Sequence, residues 1–289
     1  MNKIILLLSW MFLGGVAYVY AGDSSAKEIL MQKLESTGHD TLRLKTLCEL
    51  VDVCKPEPIV RKQYVDELLK EAESQKDNLY KCRAYLYHIY ICFNENNREE
   101  LRKWLDLLVP LAKKEKYYDL VFLGEQCDID LLVLNESFEE LEDRATDMLH
   151  EAQALKNNKG IVLAYQSIAR AVTGRVKQAG DMLEKAYAQS LEFNDYTISA
   201  DINNSLIMVY KLLKDYPGLL KCIQERERII QNEIRRQPDM EQMLHLDFFY
   251  LYVSYAEYYF AMGDLPNAKK YIQLTDKYYS DRYFVNKLR

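Results

Sequence analysis

The chain has 289 residues, with 38 lysines and arginines against 44 aspartates and glutamates, so its formal net charge is −6 at pH 7. This acidic balance argues against a nucleic-acid-binding protein, which presents a basic surface to the phosphates. The chain has only 6 prolines and 10 glycines. Helix-forming residues dominate and no long alternating stretch indicates strands, which predicts an all-α protein.

Residues 1–21 have the pattern of a secretory signal peptide. Lys3 precedes an apolar run over residues 4–19, and Val19-Tyr20-Ala21 has β-branched and small residues at the positions that signal peptidase reads. We expect cleavage after Ala21 and export to the periplasm. The alternative is an uncleaved anchor, because the run approaches the ~20 apolar residues that span a bilayer. Contact with a membrane is expected only through this segment.

After a lead-in segment over 22–39 with one short helix, the pattern of apolar residues predicts a series of helical hairpins. Hairpin one has one apolar face, formed by Leu44, Leu47, Cys48 and Val51. In hairpin two, Pro110 is expected to kink the second helix or to end it early, since proline lacks the N–H that a helix interior needs. The predicted hairpins two to five span about 79–114, 117–155, 158–193 and 197–236.

The last hairpin, over 246–280, has the clearest pattern. Its first helix has Tyr252, Tyr255, Ala256 and Tyr259 at i, i+3, i+4 and i+7, which places them on one face. Gly263 is expected to end this helix in a left-handed conformation, and Pro266 is tolerated in the first turn of the next. The residues of the second helix predicted to face back are Ala268, Ile272 and Thr275.

The hairpins form an internal repeat. Residues 214–224 (KDYPGLLKCIQ) align without gaps on residues 263–273 (GDLPNAKKYIQ), and comparable turns begin at 55, 96, 136, 174, 214 and 263. This spacing predicts an α-solenoid of about six antiparallel helical hairpins over 40–279, with a period of about 40. Residues 280–289 form a C-terminal tail.

This repeat resembles the tetratricopeptide repeat family. The family pattern of an aromatic or leucine, a small residue, tyrosine, Gly-Asp and alanine is best kept at Tyr252, Ala256, Tyr259, Gly263, Asp264, Leu265 and Ala268. A second match is Leu206, Tyr210, Asp215 and Tyr216. The chain departs from the family in its spacing, which exceeds the usual 34 residues, and in lacking tryptophan at the first position.

The sequence contains none of the common catalytic motifs. It has no glycine-rich phosphate loop, no GxSxG, no CxxC and no paired histidines of a metal site. Cys82 and Cys92 lie ten residues apart on one predicted helix, about 15 Å along its axis, which is too far for a disulfide. We expect buried free thiols, with a Cys48–Cys54 bridge as the alternative. The sequence therefore predicts a non-enzymatic protein without cofactor or metal.

A partner-binding groove is expected on the first helices of the hairpins. In tetratricopeptide hairpins these helices also present a face to the concave side, offset from the packing face, and mixed polar and aromatic groups there suit an extended peptide or a partner helix. The equivalent face of hairpin one carries Leu42, Lys45, Glu49 and Asp52. In hairpins five and six the predicted groove residues are Asn204, Met208, Lys211, Tyr250, Glu257 and Phe260. Ordinary solvated helix faces are the alternative interpretation.

The export signal, the repeat and the segment HDTLRLKTLCELV (residues 39–51) together resemble the extracytoplasmic tetratricopeptide sensor regions of bacterial regulators. Such regulators continue into a membrane helix and a histidine kinase or a helix-turn-helix domain, so we expect this chain to be a free-standing relative or a truncated product. The first hypothesis is a periplasmic interaction or sensor module that binds a protein or peptide. A structural scaffold in an envelope complex is the second, and a helical enzyme is the third.

Overall fold

The computed structural model describes residues 24–54, 57–134, 138–172, 174–193, 195–236 and 244–278. The predicted signal peptide and the C-terminal tail lie outside these residues. Within them every regular element is an α-helix, which confirms the all-α prediction. The helices are α1 (Ser24–Ser36), α2 (Thr41–Val53), α3 (Pro58–Gln75), α4 (Asn78–Asn94), α5 (Arg98–Glu115), α6 (Tyr118–Leu134), α7 (Phe138–Ala154), α8 (Asn158–Ala171), α9 (Val176–Ser190), α10 (Tyr196–Leu213), α11 (Tyr216–Arg236), α12 (His245–Ala261) and α13 (Leu265–Asp276).

Most of the short turns between helices share one two-residue design. The first residue has a positive φ between 52° and 76°, and the N–H of the second donates to a carbonyl five residues earlier at 2.9–3.1 Å. This is the Schellman ending of a helix. The left-handed residues are Lys76, Asn96, Lys116, Lys156, Lys214 and Gly263. The next residue is Asp or Asn in five of the six turns, and those five side chains accept an N–H of the following helix.

The chain divides into two compact units, residues 1–173 and 174–289. The boundary falls inside the predicted hairpin four, so its two helices, α8 and α9, belong to different units. The other five predicted hairpins are present as packed pairs of consecutive helices. Within each unit the arrangement is therefore that of the predicted α-solenoid.

Unit one contains α1 to α8. Each helix packs on its neighbours in sequence, and the first helices of successive hairpins also pack on one another, α4 on α6 and α6 on α8. The predicted apolar face of hairpin one is buried: Leu44, Leu47 and Val51 are fully enclosed, and Cys48 nearly so. Leu101, Leu105 and Leu108 of α5 form a second core with residues of α4 and α6. Burial of each such leucine contributes about 1.5–3 kcal/mol.

Unit two contains α9 to α13, and polar as well as apolar groups join its helices. The Arg226 guanidinium and the Asp247 carboxylate form an ion pair between α11 and α12, and each residue is only 2% exposed. Asn203 of α10 donates to the carbonyl of Cys222 at 3.1 Å. These contacts fix the spacing of α10, α11 and α12, because a buried polar group without its partner is costly.

Two predictions about single residues need correction. The early end of α5 at Pro110 is wrong, because the helix continues to Glu115, and the alternative of a kink at Pro110 stays a prediction. The proline and Asp106, whose carbonyl loses its helical donor, are both exposed, so water can satisfy the carbonyl. In α13, Ala268 is buried as predicted, but Ile272 is 56% exposed. Tyr271 packs on α12 in its place, with its ring centroid 4.6 Å from that of Tyr255.

All six cysteines are buried free thiols, as the preferred interpretation predicted, and no Cys48–Cys54 bridge is present. No helix in the described ranges combines the length and the apolar composition needed to cross a membrane.

Candidate functional site

The six predicted groove residues lie on α10 and α12 of unit two, and we call them the unit-two stripe. Asn204, Met208 and Lys211 are half-buried on α10. On α12, Tyr250 is 58% exposed, Phe260 is 70% exposed and Glu257 is also exposed. The packing face of α12 is distinct from this stripe, because Tyr255 and Ala256 are buried.

The structure brings two members of the stripe together. The Lys211 ammonium forms an ion pair with the Glu257 carboxylate across the 46 residues that separate them in sequence. Both side chains keep part of their surface in solvent, so the pair contributes at most about 1 kcal/mol to stability. The pair therefore aligns the two helix faces while leaving charge available to a ligand. Among the described residues, the other four members of the stripe make no hydrogen bond or ion pair with one another.

Four exposed apolar side chains lie between the end of α12 and the middle of α13, and we call them the apolar patch; one of them, Phe260, is also a member of the stripe. The patch comprises Phe260, Met262, Leu265 and Ile272, all more than half exposed. Behind it, tyrosines of α12 and α13 stack on one another, and the Tyr255 hydroxyl donates to Glu227 at 2.8 Å. The tyrosines are thus part of the packing, whereas the patch offers apolar area to another molecule.

Unit one carries polar side chains along its own first helices, and we call these the unit-one stripe: Asp52, Tyr87, Gln126, Asp130, Gln166 and Arg170. The Tyr87 hydroxyl of α4 donates to Asp52 of α2 at 3.2 Å. Arg170 of α8 donates to Asp130 of α6 at 2.5 Å, and Gln126 contacts Gln166 at 3.5 Å. Of this stripe, only Asp52 was predicted from the sequence to face the groove. The forty-residue period could have predicted the contacts between Gln126 and Gln166 and between Asp130 and Arg170, since the residues of each pair are 40 positions apart.

Arg61 lies close to the unit-one stripe. It is only 6% exposed, and it interacts electrostatically with Asp52, Tyr87 and Tyr90. Burial lowers the pKa of its guanidinium, because an apolar environment disfavours the charged form. No sequence signal points to this residue, since a single arginine in a charged helix ordinarily lies at the surface.

The reactive side chains of the described residues are poorly placed for covalent chemistry. Burial raises the pKa of Cys48, Cys82 and Cys92 to about 11 and that of Cys222 to about 12. These thiols stay protonated at neutral pH, and a protonated thiol is a weak nucleophile. His88 is buried and stacked on Trp104, with ring centroids 4.1 Å apart. In the described residues, these cysteines and His88 are therefore part of the packing between helices.

Comparison with known proteins gives no family: no protein-family model matches the sequence, and no curated protein is similar to it. The resemblance to tetratricopeptide repeats rests on the residues quoted above.

Proposed function

We propose that the protein is an exported, non-enzymatic module of the tetratricopeptide type that binds a protein or peptide in the periplasm. The observation that carries the proposal is the unit-two stripe. It combines exposed aromatic rings with a solvent-accessible ion pair on two first helices, distinct from the buried packing face. Exposed aromatic and charged groups on adjacent helices are the features with which helical repeats bind peptides.

Export is part of the proposal and rests on residues 1–21 alone. Intact mass of the protein recovered from the cell envelope tests it. We expect a chain that begins at Gly22, and a chain that keeps residues 1–21 would mean an anchored protein.

Selection from a displayed peptide library on the purified protein tests the binding function, followed by measurement of affinity for the selected peptide. Replacing Asn204, Lys211, Tyr250 and Glu257 with alanine is expected to weaken binding by about tenfold or more, because aromatic anchors dominate interfaces. The melting temperature is expected to change little, since surface substitutions rarely cost more than ~0.5 kcal/mol.

The matched control replaces Gln224 and Lys269, which are exposed on the second helices α11 and α13. It is expected to leave affinity unchanged. Equal losses in the two variants would contradict the assignment of the stripe, and so would a library that yields no binder.

The apolar patch favours a second candidate, a structural scaffold in an envelope complex. Permanent interfaces are more apolar than transient ones. The four residues Phe260, Met262, Leu265 and Ile272, between the end of α12 and the middle of α13, are all exposed. Affinity purification from solubilised envelopes distinguishes the two functions. A partner recovered in fixed stoichiometry and lost on Ile272→Ser, which leaves the stripe intact, would support the scaffold.

The resemblance to sensor regions adds a signalling role to the first candidate. We expect binding of the selected peptide to change the output of a regulator when this chain is joined to one. An unchanged output with a bound peptide would limit the role to binding.

A further inference from the structure

Arg61 is a buried cation that has no partner among the described residues. In the part of the chain that the structure describes, its side chain makes no hydrogen bond, and no carboxylate oxygen lies within 4.0 Å of it. Its Nε is closed off from solvent, whereas the two terminal nitrogens keep some solvent-accessible surface. Burying an unpaired charge is unfavourable unless another group neutralises it. The guanidinium thus has donors available at the edge of the unit-one stripe.

The two carboxylates near this site already have partners. The Asp52 carboxylate accepts a hydrogen bond from the Tyr87 hydroxyl, and the Asp130 carboxylate accepts one from the Arg170 guanidinium. Asp52 interacts with Arg61 only at a longer range, through charge and without a hydrogen bond. The acidic groups of the stripe therefore leave the Arg61 donors unused.

Tyr90 supplies a second unused donor. It interacts electrostatically with Arg61, Asp130 and Cys127, and within the described ranges its hydroxyl makes no hydrogen bond. Burial raises the pKa of Tyr90 well above its ordinary value of 10, so the hydroxyl keeps its proton and remains a donor at neutral pH. Helices α3 and α4 pack as an antiparallel pair, and Arg61 and Tyr90 lie 15 and 13 residues from the turn at Lys76-Asp77, so they are at the same level of the pair. Within the described ranges, neither donor has an acceptor.

We propose that Arg61 and Tyr90 form a subsite for a singly charged carboxylate, which accepts hydrogen bonds from the guanidinium and from the phenol. A guanidinium matches the planar geometry of a carboxylate. The nearby Asp52 disfavours a doubly charged anion such as phosphate through like-charge repulsion. The carboxylate comes from an acidic side chain of a bound peptide or from a free carboxylic acid. The first of these sources, a bound peptide, rests on the proposed function, whereas a free carboxylic acid could bind even if that function is wrong.

Titration of the full chain at constant ionic strength tests the subsite, with three probes read by calorimetry. The probes are acetate, a blocked alanine–glycine peptide with one glutamate, and inorganic phosphate. The glutamine form of the peptide is the control ligand. We expect acetate or the glutamate peptide to bind. Arg61→Gln should weaken that binding by about tenfold or more and Tyr90→Phe by about threefold, since hydrogen bonds to charged groups are the stronger ones. Lys62→Gln, at the exposed neighbouring residue, should leave it unchanged.

A thermal melt of Arg61→Gln without any carboxylate gives an independent measurement. Because an unpaired buried charge is removed, the variant should melt at or above the temperature of the wild type. A lower melting temperature that Arg61→Met, which keeps the apolar stem, does not restore would mean that Arg61 is already paired within the protein, and the proposal would be wrong.

The remaining outcomes are also decisive. Binding of acetate identifies a free acid, and binding of the glutamate peptide alone identifies an acidic side chain. Tighter binding of phosphate, no binding of any probe, or equal losses in Arg61→Gln and Lys62→Gln would overturn the subsite. If Arg61→Gln fails to fold, Tyr90→Phe and the wild-type titrations still decide. Peptides selected through the unit-two stripe report on the proposed function separately, because those variants leave Arg61 intact.

Discussion

Replacing Gly160 with alanine should destabilise unit one, although alanine favours helices. Gly160 lies in the first turn of α8, and a Cβ built on it would come within 2.7 Å of Cε2 and Cγ of Phe122 and closer still to Cδ2. The Phe122 ring is fully buried in α6. The Gly160 N–H donates to the Asn157 side chain at 2.6 Å, which fixes the start of α8. Neither the ring nor the helix can therefore move away freely.

The magnitude follows from two opposing effects. Alanine gains at most about 1 kcal/mol over glycine in helix propensity, and less in a first turn. Relief of the contact needs a shift of about 1 Å in a close-packed core, and overpacking of this kind costs about 1–3 kcal/mol. We expect a net loss of about 1–2 kcal/mol in the free energy of unfolding of unit one.

Urea unfolding followed by circular dichroism measures this loss. Gly38→Ala is the control in the same unit, since no atom lies within 4 Å of the added carbon, and it should be neutral or slightly stabilising. Phe122→Leu should be less harmful when combined with Gly160→Ala than in the wild type, because a smaller side chain makes room for the methyl group. Gly160→Ala at or above wild-type stability would refute the packing argument.

Three further changes test other parts of the structure. Lys214→Gly should stabilise unit two by about 0.5–1 kcal/mol in urea unfolding, because a left-handed φ of 55° strains any residue with a side chain; no gain would argue against that turn. Asp247→Asn should cost about 3–5 kcal/mol by leaving Arg226 buried without its carboxylate, and the double variant Arg226→Met with Asp247→Leu should recover most of it; failure of the double variant to recover would contradict the pairing. Burial raises the pKa of Glu71, but hydrogen bonds from Gln75 and His39 and the charge of Arg43 outweigh it and hold the pKa below its ordinary value of 4.5. The wild type should thus be more stable than Glu71→Gln above that pH, and the difference should vanish as the pH falls through the lowered pKa of the folded state; a difference that persists in acid would contradict this cause.

The repeat made most of the fold predictable. Apolar residues at i, i+3, i+4 and i+7 placed the helices, and the forty-residue spacing placed five of the six hairpins. The repeat placed turns at Asn96, Lys214 and Gly263, but nothing marked the left-handed residues Lys76, Lys116 and Lys156 between hairpins. Lysine is tolerated there because the Schellman hydrogen bonds outweigh its backbone strain. Ile272 was misplaced because Tyr271 lies one residue earlier, and its stacking on Tyr255 sets the rotation of α13.

The candidate sites were predictable to different degrees. Helix periodicity is enough to predict which residues of α10 and α12 form the unit-two stripe. The Lys211–Glu257 ion pair joins the part of the stripe on α10 to the part on α12. Arg61 could not be found in this way, because the burial of an arginine depends on which helices close over it. That information lies in contacts between α2, α3 and α4 and in no local pattern.

Among the described residues, the side-chain links between first helices of neighbouring hairpins join positions 35 to 46 residues apart, and two of them fall at 40, Gln126–Gln166 and Arg170–Asp130. Insertions and deletions in such a chain should preserve the fold only when they have certain lengths. Insertion or loss of one whole repeat keeps every partner at its proper spacing, whereas a change of half a repeat puts each first-helix residue opposite a second helix. Gene duplication and recombination within such a lineage should therefore preserve multiples of about forty codons, and the two-residue turns mark the points where such exchange leaves the protein intact.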